Sequence, residues 1–240
     1  MRKGTLRKIV TGIWTIAFLI TILLLPVSAS ELVVIDAGHQ GPDQDMSGTE
    51  PLGPGSSEMK AKLATGTEGW TTGLPEYELN LNVALLLQEE LEARGYRVLM
   101  TRTTHDTDIS NIERAEVANN AGADIMVRVH ANGSENTSVD GALTMVPSAA
   151  NPYVGFMYDE CYYLGQCIVN AYCETTGISN DGILEVDDMT GINWCQMPVT
   201  IIEMGFMTNY GDDTYMADEN NQKTMAVGIA NGIDRYFGRE

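Results

Sequence analysis

The amino-acid sequence predicts a single α/β domain over residues 30–240, with a mostly parallel or mixed central sheet flanked by helices. Three observations carry this. Short apolar runs rich in β-branched residues recur, as in Leu32-Val33-Val34-Ile35, Ile125-Met126-Val127 and Val199-Thr200-Ile201-Ile202, and read as buried strands. Longer stretches with an apolar stripe at helical spacing alternate with them. Beyond an N-terminal leader about 210 residues remain, enough for one domain with a full core, and they show no internal repeat or low-complexity tract.

The leader covers residues 1–29. Arg2, Lys3, Arg7 and Lys8 give it a basic start, residues 9–27 are apolar and uncharged, and Val27-Ser28-Ala29 matches the small-residue motif before a cleavage site. It is expected to act as a signal peptide or an N-terminal membrane anchor, since the apolar run also approaches the roughly 20 residues that span a bilayer. The basic flank is expected to stay in the cytoplasm, with the rest of the chain outside.

The first strand runs through Leu32-Val33-Val34-Ile35-Asp36-Ala37 to Gly38-His39. Residues 40–75 are rich in Gly, Pro, Ser and Thr and lack periodicity, which predicts a long loop of the functional or mobile kind. A helix over residues 77–94 follows, with Leu79, Val83, Leu86, Leu87 and Leu91 as its stripe and Gly95 as its stop. Residues 96–101 make a second strand. Asp108-Ile109-Ser110 leads into a helix over 112–120 that Gly122 ends. Strands follow from Asp124 to His130 and over 141–146. Pro152 opens a long helix to about Thr176, closed by Gly177. The turn Asp181-Gly182 precedes a strand over 183–186, Pro198 precedes the strand ending at Glu203, and a last helix covers about 221–236.

The formal charge is −19, and setting aside the four basic residues of the leader takes the exported part to about −23. Such a surface repels nucleic acid, and no nucleic-acid partner is expected. It also disfavours anionic lipid and anionic wall polymers. The acidity is read as a solubility device.

Cys161, Cys167 and Cys173 are spaced six apart in the long helix, ~9 Å of rise per interval, too far for a disulfide within it. They lack the short spacing of a metal knuckle. They read as small buried apolar residues; the rival reading is one disulfide from this helix to Cys195, which an exported protein permits.

Two of the three histidines, His39 and His130, end apolar strands, and a third strand ends on Glu203. Ligands of open α/β sheets sit at the carboxyl ends of strands, so the three ends suggest one shared site. A catalytic zinc ion takes three protein ligands and keeps a position open for water. The two imidazoles would be joined by an acid at the entrance of the first helix, Glu76 or Glu78. Zinc lowers the pKa of a bound water to about 7. A separate carboxylate must then carry the proton, and Glu203 is the candidate.

Several motifs sit around these residues in order: Ile35-Asp36-Ala37-Gly38-His39, Glu76-Tyr77-Glu78-Leu79-Asn80-Leu81, Thr101-Arg102, Arg114 with Ala118-Asn119, His130-Ala131-Asn132, and Glu203-Met204-Gly205-Phe206-Met207-Thr208-Asn209. Together they resemble the zinc-dependent N-acetylmuramoyl-L-alanine amidases, from Leu32 to the C-terminus. The resemblance implies zinc (Zn2+) held by His39, Glu76 and His130, with Glu76 preferred over Glu78, and Glu203 as the catalytic acid–base. It also implies a peptidoglycan substrate, cut at the amide between N-acetylmuramic acid and the L-alanine of the stem peptide. Two rivals keep the same residues: a zinc peptidase cutting within the stem peptide, and an inactive wall-binding module. A monomer on the outer, cell-wall side of the membrane is expected, secreted or tethered through the leader.

The chain departs from the family pattern at Gln40, at Arg128 and in the length of the 40–75 loop. Arg128 is read as the partner of a local acid before a contact for a substrate carboxylate. His105 reads as a surface residue, Arg102 and Arg114 as ion-pair partners inside the fold, and Glu185-Val186-Asp187-Asp188 as a solvated edge. For Trp70 and Trp194, packing is the commoner role and sugar stacking the other.

Overall fold

The computed structural model describes residues 30–239. The stretch read as signal peptide or anchor, residues 1–29, lies outside the described residues. Among those described, no helix is long and apolar enough to cross a membrane.

The chain forms β1 (Leu32–Ala37), β2 (Thr49–Pro51), β3 (Met59–Ala61), α1 (Glu76–Ala93), β4 (Arg97–Met100), α2 (Asn111–Ala121) and β5 (Ile125–Asn132). These are followed by β6 (Ala142–Val146), α3 (Tyr158–Thr176), β7 (Asn180–Glu185), α4 (Thr190–Asn193), β8 (Val199–Phe206), α5 (Tyr210–Met216) and α6 (Glu219–Phe237). Six strands build one sheet in the order β4-β1-β5-β8-β6-β7. It is parallel except where β6 runs against β8. The expected mixed α/β sheet is therefore the one found.

The central strands are apolar on both faces because helices cover both. Alternation along β1 sorts its residues. Val33, Ile35 and Ala37 join the core with Leu79, Leu87 and Leu91 of α1, Ile168 and Tyr172 of α3, and Ile229 of α6. Leu32 and Val34 join Ala115 and Ala118 of α2 and Ile192 of α4 on the other side. The helices α3 and α6 pack in near-contact: a Cβ on Gly232 would lie 2.4 Å from the Ile168 Cα.

Local chemistry sets the helix ends. Ser110 and Glu113 form a reciprocal capping box on α2, and Gly122, Gly177 and Gly238 close α2, α3 and α6 in the left-handed conformation. The long helix starts at Tyr158 and not at Pro152. The Asn151 side chain accepts from the amides of Tyr153 and Val154, and a single 3-10 turn over Gly155–Met157 intervenes. The short helix α5 was not expected; the side chain of Asn209 caps it and that of Asp218 caps α6 directly after.

Further readings need correction. Residues 40–75 are not a featureless loop: β2 and β3 pair antiparallel, and the buried Glu50 of β2 accepts from the Asn111 and Ile112 amides at the start of α2. Glu203 and His130 are not the last residues of their strands, since β5 runs to Asn132 and β8 to Phe206. All four cysteines are buried and free, so the disulfide to Cys195 is not formed.

Candidate metal centre

Three elements deliver one residue each. His39 lies two positions past β1 with φ 59°, and it is the one non-glycine residue with positive φ among the described residues. That conformation is unfavourable for an L-residue and needs support from its surroundings. Two arginines supply it. Arg114 donates to the carbonyls of Ala37 (2.7 Å) and His39 (2.9 Å), and Arg102 to those of Ala37 (2.8 Å), Gly38 (2.9 Å) and Tyr77 (2.7 Å).

Glu76 is the first residue of α1, and its amide donates to the Thr67 carbonyl. Its Oε1 meets His39 Nε2 at 3.2 Å and His130 Nδ1 at 3.2 Å, and it also accepts from Asn80 Nδ2 and the Ala131 amide. Its Oε2 accepts from the Thr67 amide at 2.9 Å. His130 comes from β5, just before a register shift against β8. Its ring packs where a side chain on Gly38 would sit. One ligand atom from each of His39, Glu76 and His130 falls within 4.8 Å of the others, so the three could hold a metal ion.

Glu203 of β8 sits opposite His130 in parallel register, on the neighbouring strand. Its Oε2 is buried with no hydrogen-bond partner. Burial, and then the charge of Glu76, push its pKa up to about 8.

The donors suit a cation. His39 Nδ1 lies 2.9 Å from the Ala64 carbonyl, so a neutral His39 donates there and turns a lone pair on Nε2 toward Glu76 Oε1. Two lone pairs then face each other, an arrangement that a bound cation relieves. His130 Nε2 is buried without a partner. Burial pushes the His130 pKa down to about 4, which keeps the imidazole neutral as a ligand must be. Burial opposes ionisation of Glu76, but the two imidazoles beside it outweigh burial and hold the carboxyl well below the usual range. Two imidazoles and one carboxylate suit a divalent transition metal.

The four residues open into a groove of about 600 Å³, also lined by Thr67, Trp70, Asn132, Glu135, Met145 and Met189. Glu78, the other acid considered as ligand, faces a different cavity beside His105. His105 is exposed, its ring edge-on to Tyr77. Arg128 is buried and donates to Asp36 at 2.7 Å, the plainer of its two readings. Arg114 ion-pairs with Asp36 as expected. Arg102 instead spends its hydrogen bonds on backbone carbonyls. Asp187 holds the Ser148 turn, Glu185 accepts from Tyr158 and Asp188 meets Lys60, so the acidic run serves loop structure. Trp194 donates to the Pro51 carbonyl and packs. Sequence reading missed Thr67 and Asn80 as supports of Glu76. Asn80, one helical turn after Glu76, had a spacing signal; Thr67 had none.

A family model described as N-acetylmuramoyl-L-alanine amidase matches residues 33–235. The chain is 26% identical over 222 residues to an N-acetylmuramoyl-L-alanine amidase of Mycobacterium tuberculosis, with 88% of each chain covered. It is 27% identical to an N-acetylmuramoyl-L-alanine amidase from Clostridium difficile, whose crystal structure superposes with a TM-score of 0.72 over 89% of this chain and 100% of that one. A crystal structure of an amidase from Mycobacterium smegmatis shares the fold at a TM-score of 0.79 and 24% identity, over 88% of this chain and 99% of that one.

Proposed function

The chain belongs to the N-acetylmuramoyl-L-alanine amidase family, and from that premise we infer its reaction. It is a hydrolase that cleaves peptidoglycan at the amide between N-acetylmuramic acid and the L-alanine of the stem peptide. The observation that carries the reading is the convergence of His39, Glu76 and His130 beside Glu203 at the floor of one groove.

The family is metal-dependent, and His39, Glu76 and His130 would hold the ion, which we assign as zinc. When bound, zinc supplies Lewis-acid polarisation and acidifies a water molecule toward neutral pH. The protein orients its own donors: Asn80, the Ala131 amide and the Thr67 amide hold the Glu76 carboxylate, and the Ala64 carbonyl fixes the His39 ring. Glu203 takes a proton from the attacking water on its carboxylate. As the carbon–nitrogen bond breaks, it returns that proton to the departing L-alanine nitrogen. Its burial raises its proton affinity toward neutral pH, where one carboxyl can both accept and return a proton.

The leader, as signal or tether, would deliver the domain to the cell-wall side of the membrane. One chain supplies all four residues, which supports a monomer as the working unit.

Purified peptidoglycan digested by the protein should release intact stem peptides with a free N-terminal L-alanine, detected by mass spectrometry. Cuts within the stem peptide would point to the peptidase reading instead. Glu203→Gln should keep its bound zinc and lose turnover by at least about a hundredfold, as for loss of a general acid–base; His130→Ala should lose both. An active Glu203→Gln protein contradicts the assignment.

A further inference from the structure

The groove beside the metal ligands has one large aromatic side chain on its wall besides the two histidines, Trp70, and that ring is 70% exposed. An indole left that open presents a flat apolar face to whatever enters the groove. Nor does the ring hang on a loose loop. The Trp70 amide donates to the Met207 carbonyl at 2.9 Å. The next two amides, Thr71 and Thr72, donate to Asp213 Oδ2 at 2.7 and 3.0 Å, and the Thr72 hydroxyl donates to Asp213 Oδ1 at 2.5 Å. Asp213 is buried, and a Cβ on Gly69 would lie 2.3 Å from its Oδ1, so the glycine allows this approach. At its other end the same strap touches the metal site. The Thr67 amide binds Glu76, and a side chain on Gly66 would strike Glu76 and His39. One hydrogen-bonded segment thus fixes the backbone that carries an exposed indole relative to a metal ligand.

We propose that Trp70 is the platform for the glycan side of the substrate, stacking on the pyranose ring of the N-acetylmuramoyl residue that carries the scissile amide. This rests on the amidase reading. On the peptide side of that amide stands L-alanine, whose methyl side chain offers no flat apolar face. The sugar does, through the C–H bonds on one side of its ring. A ring carried on backbone that is already ordered binds such a face at a lower ordering cost. Trp70 is a specificity residue in this account and takes no part in moving protons.

The test compares two substrates with the zinc-loaded protein: a disaccharide–tripeptide fragment, and the matching lactoyl-tripeptide, which keeps the amide and lacks the sugar. Wild-type protein should prefer the first. In Trp70→Ala the ratio of kcat/KM between the two should fall about tenfold, the worth of one stacked ring, with the loss in KM and not in kcat. Trp70→Tyr, which keeps a flat ring, should restore most of the preference, and Trp70→Leu should not. A ratio unchanged in Trp70→Ala, or restored equally by Leu, overturns the platform while leaving the amidase reading intact. Wild-type protein that cleaves neither substrate overturns the amidase reading and the platform with it.

Discussion

Asp36 is the residue on which the turn carrying His39 depends. It is fully buried and takes Arg114 on one oxygen (2.6 Å) and Arg128 on the other (2.7 Å), with the Thr101 hydroxyl at 2.5 Å. Burial alone would raise its pKa, but the two guanidinium groups and the hydroxyl outweigh burial and hold it far below the usual carboxylate range. The folded pKa is therefore depressed relative to the unfolded chain. The stability this confers is present above about pH 4, the unfolded carboxyl value, and is lost as the pH falls below it. Asp36→Asn strands two buried arginines and should cost about 3–5 kcal/mol in denaturant unfolding at pH 7. It should also flatten the acid limb of the stability–pH curve; an unchanged limb would show that the network does not depend on Asp36 ionisation. The sequence marked Arg128 as a departure from the family pattern and as the partner of an acid, but not which acid. Its partner lies 92 positions away, so spacing held no sign of it.

At the scale of elements, legibility followed locality. The strands β1, β5 and β8 were readable because buried parallel strands are continuous apolar runs. The helix α2 was readable from its capping residues. Residues 40–75 were opaque because their order comes from distant partners: Glu50 finishes the end of α2, and Asp213 of α5 receives the 66–74 strap. No local period announces such contacts. The strap gives a prediction of its own. Asp213→Ala removes three acceptor contacts, so the Thr71 and Thr72 amides should exchange hydrogen at least about tenfold faster, at about 1 kcal/mol or more per bond, while the amides of β5 keep their protection. Equal acceleration in β5 would mean that Asp213 supports the whole fold and not the strap.

For the whole molecule, the strand order explains why one site arises. The sheet places β1, β5 and β8 side by side, and α1 begins over the same edge, so residues 39, 76, 130 and 203 meet although they span most of the chain. The sequence supplied the residues and the family motifs selected Glu76 over Glu78. The order of the strands, and the antiparallel β6 beyond β8, were not legible, because pairing is decided by long-range packing. The central claim is that this meeting point is a zinc site that the reaction requires. Its most direct test is anomalous diffraction at the zinc edge from crystals of the zinc-loaded protein, paired with activity after chelation. The account predicts one strong peak within coordination distance of His39, Glu76 and His130, activity abolished by chelator, and activity restored by added zinc. A peak elsewhere, or full activity in chelator-treated, metal-free protein, would contradict it.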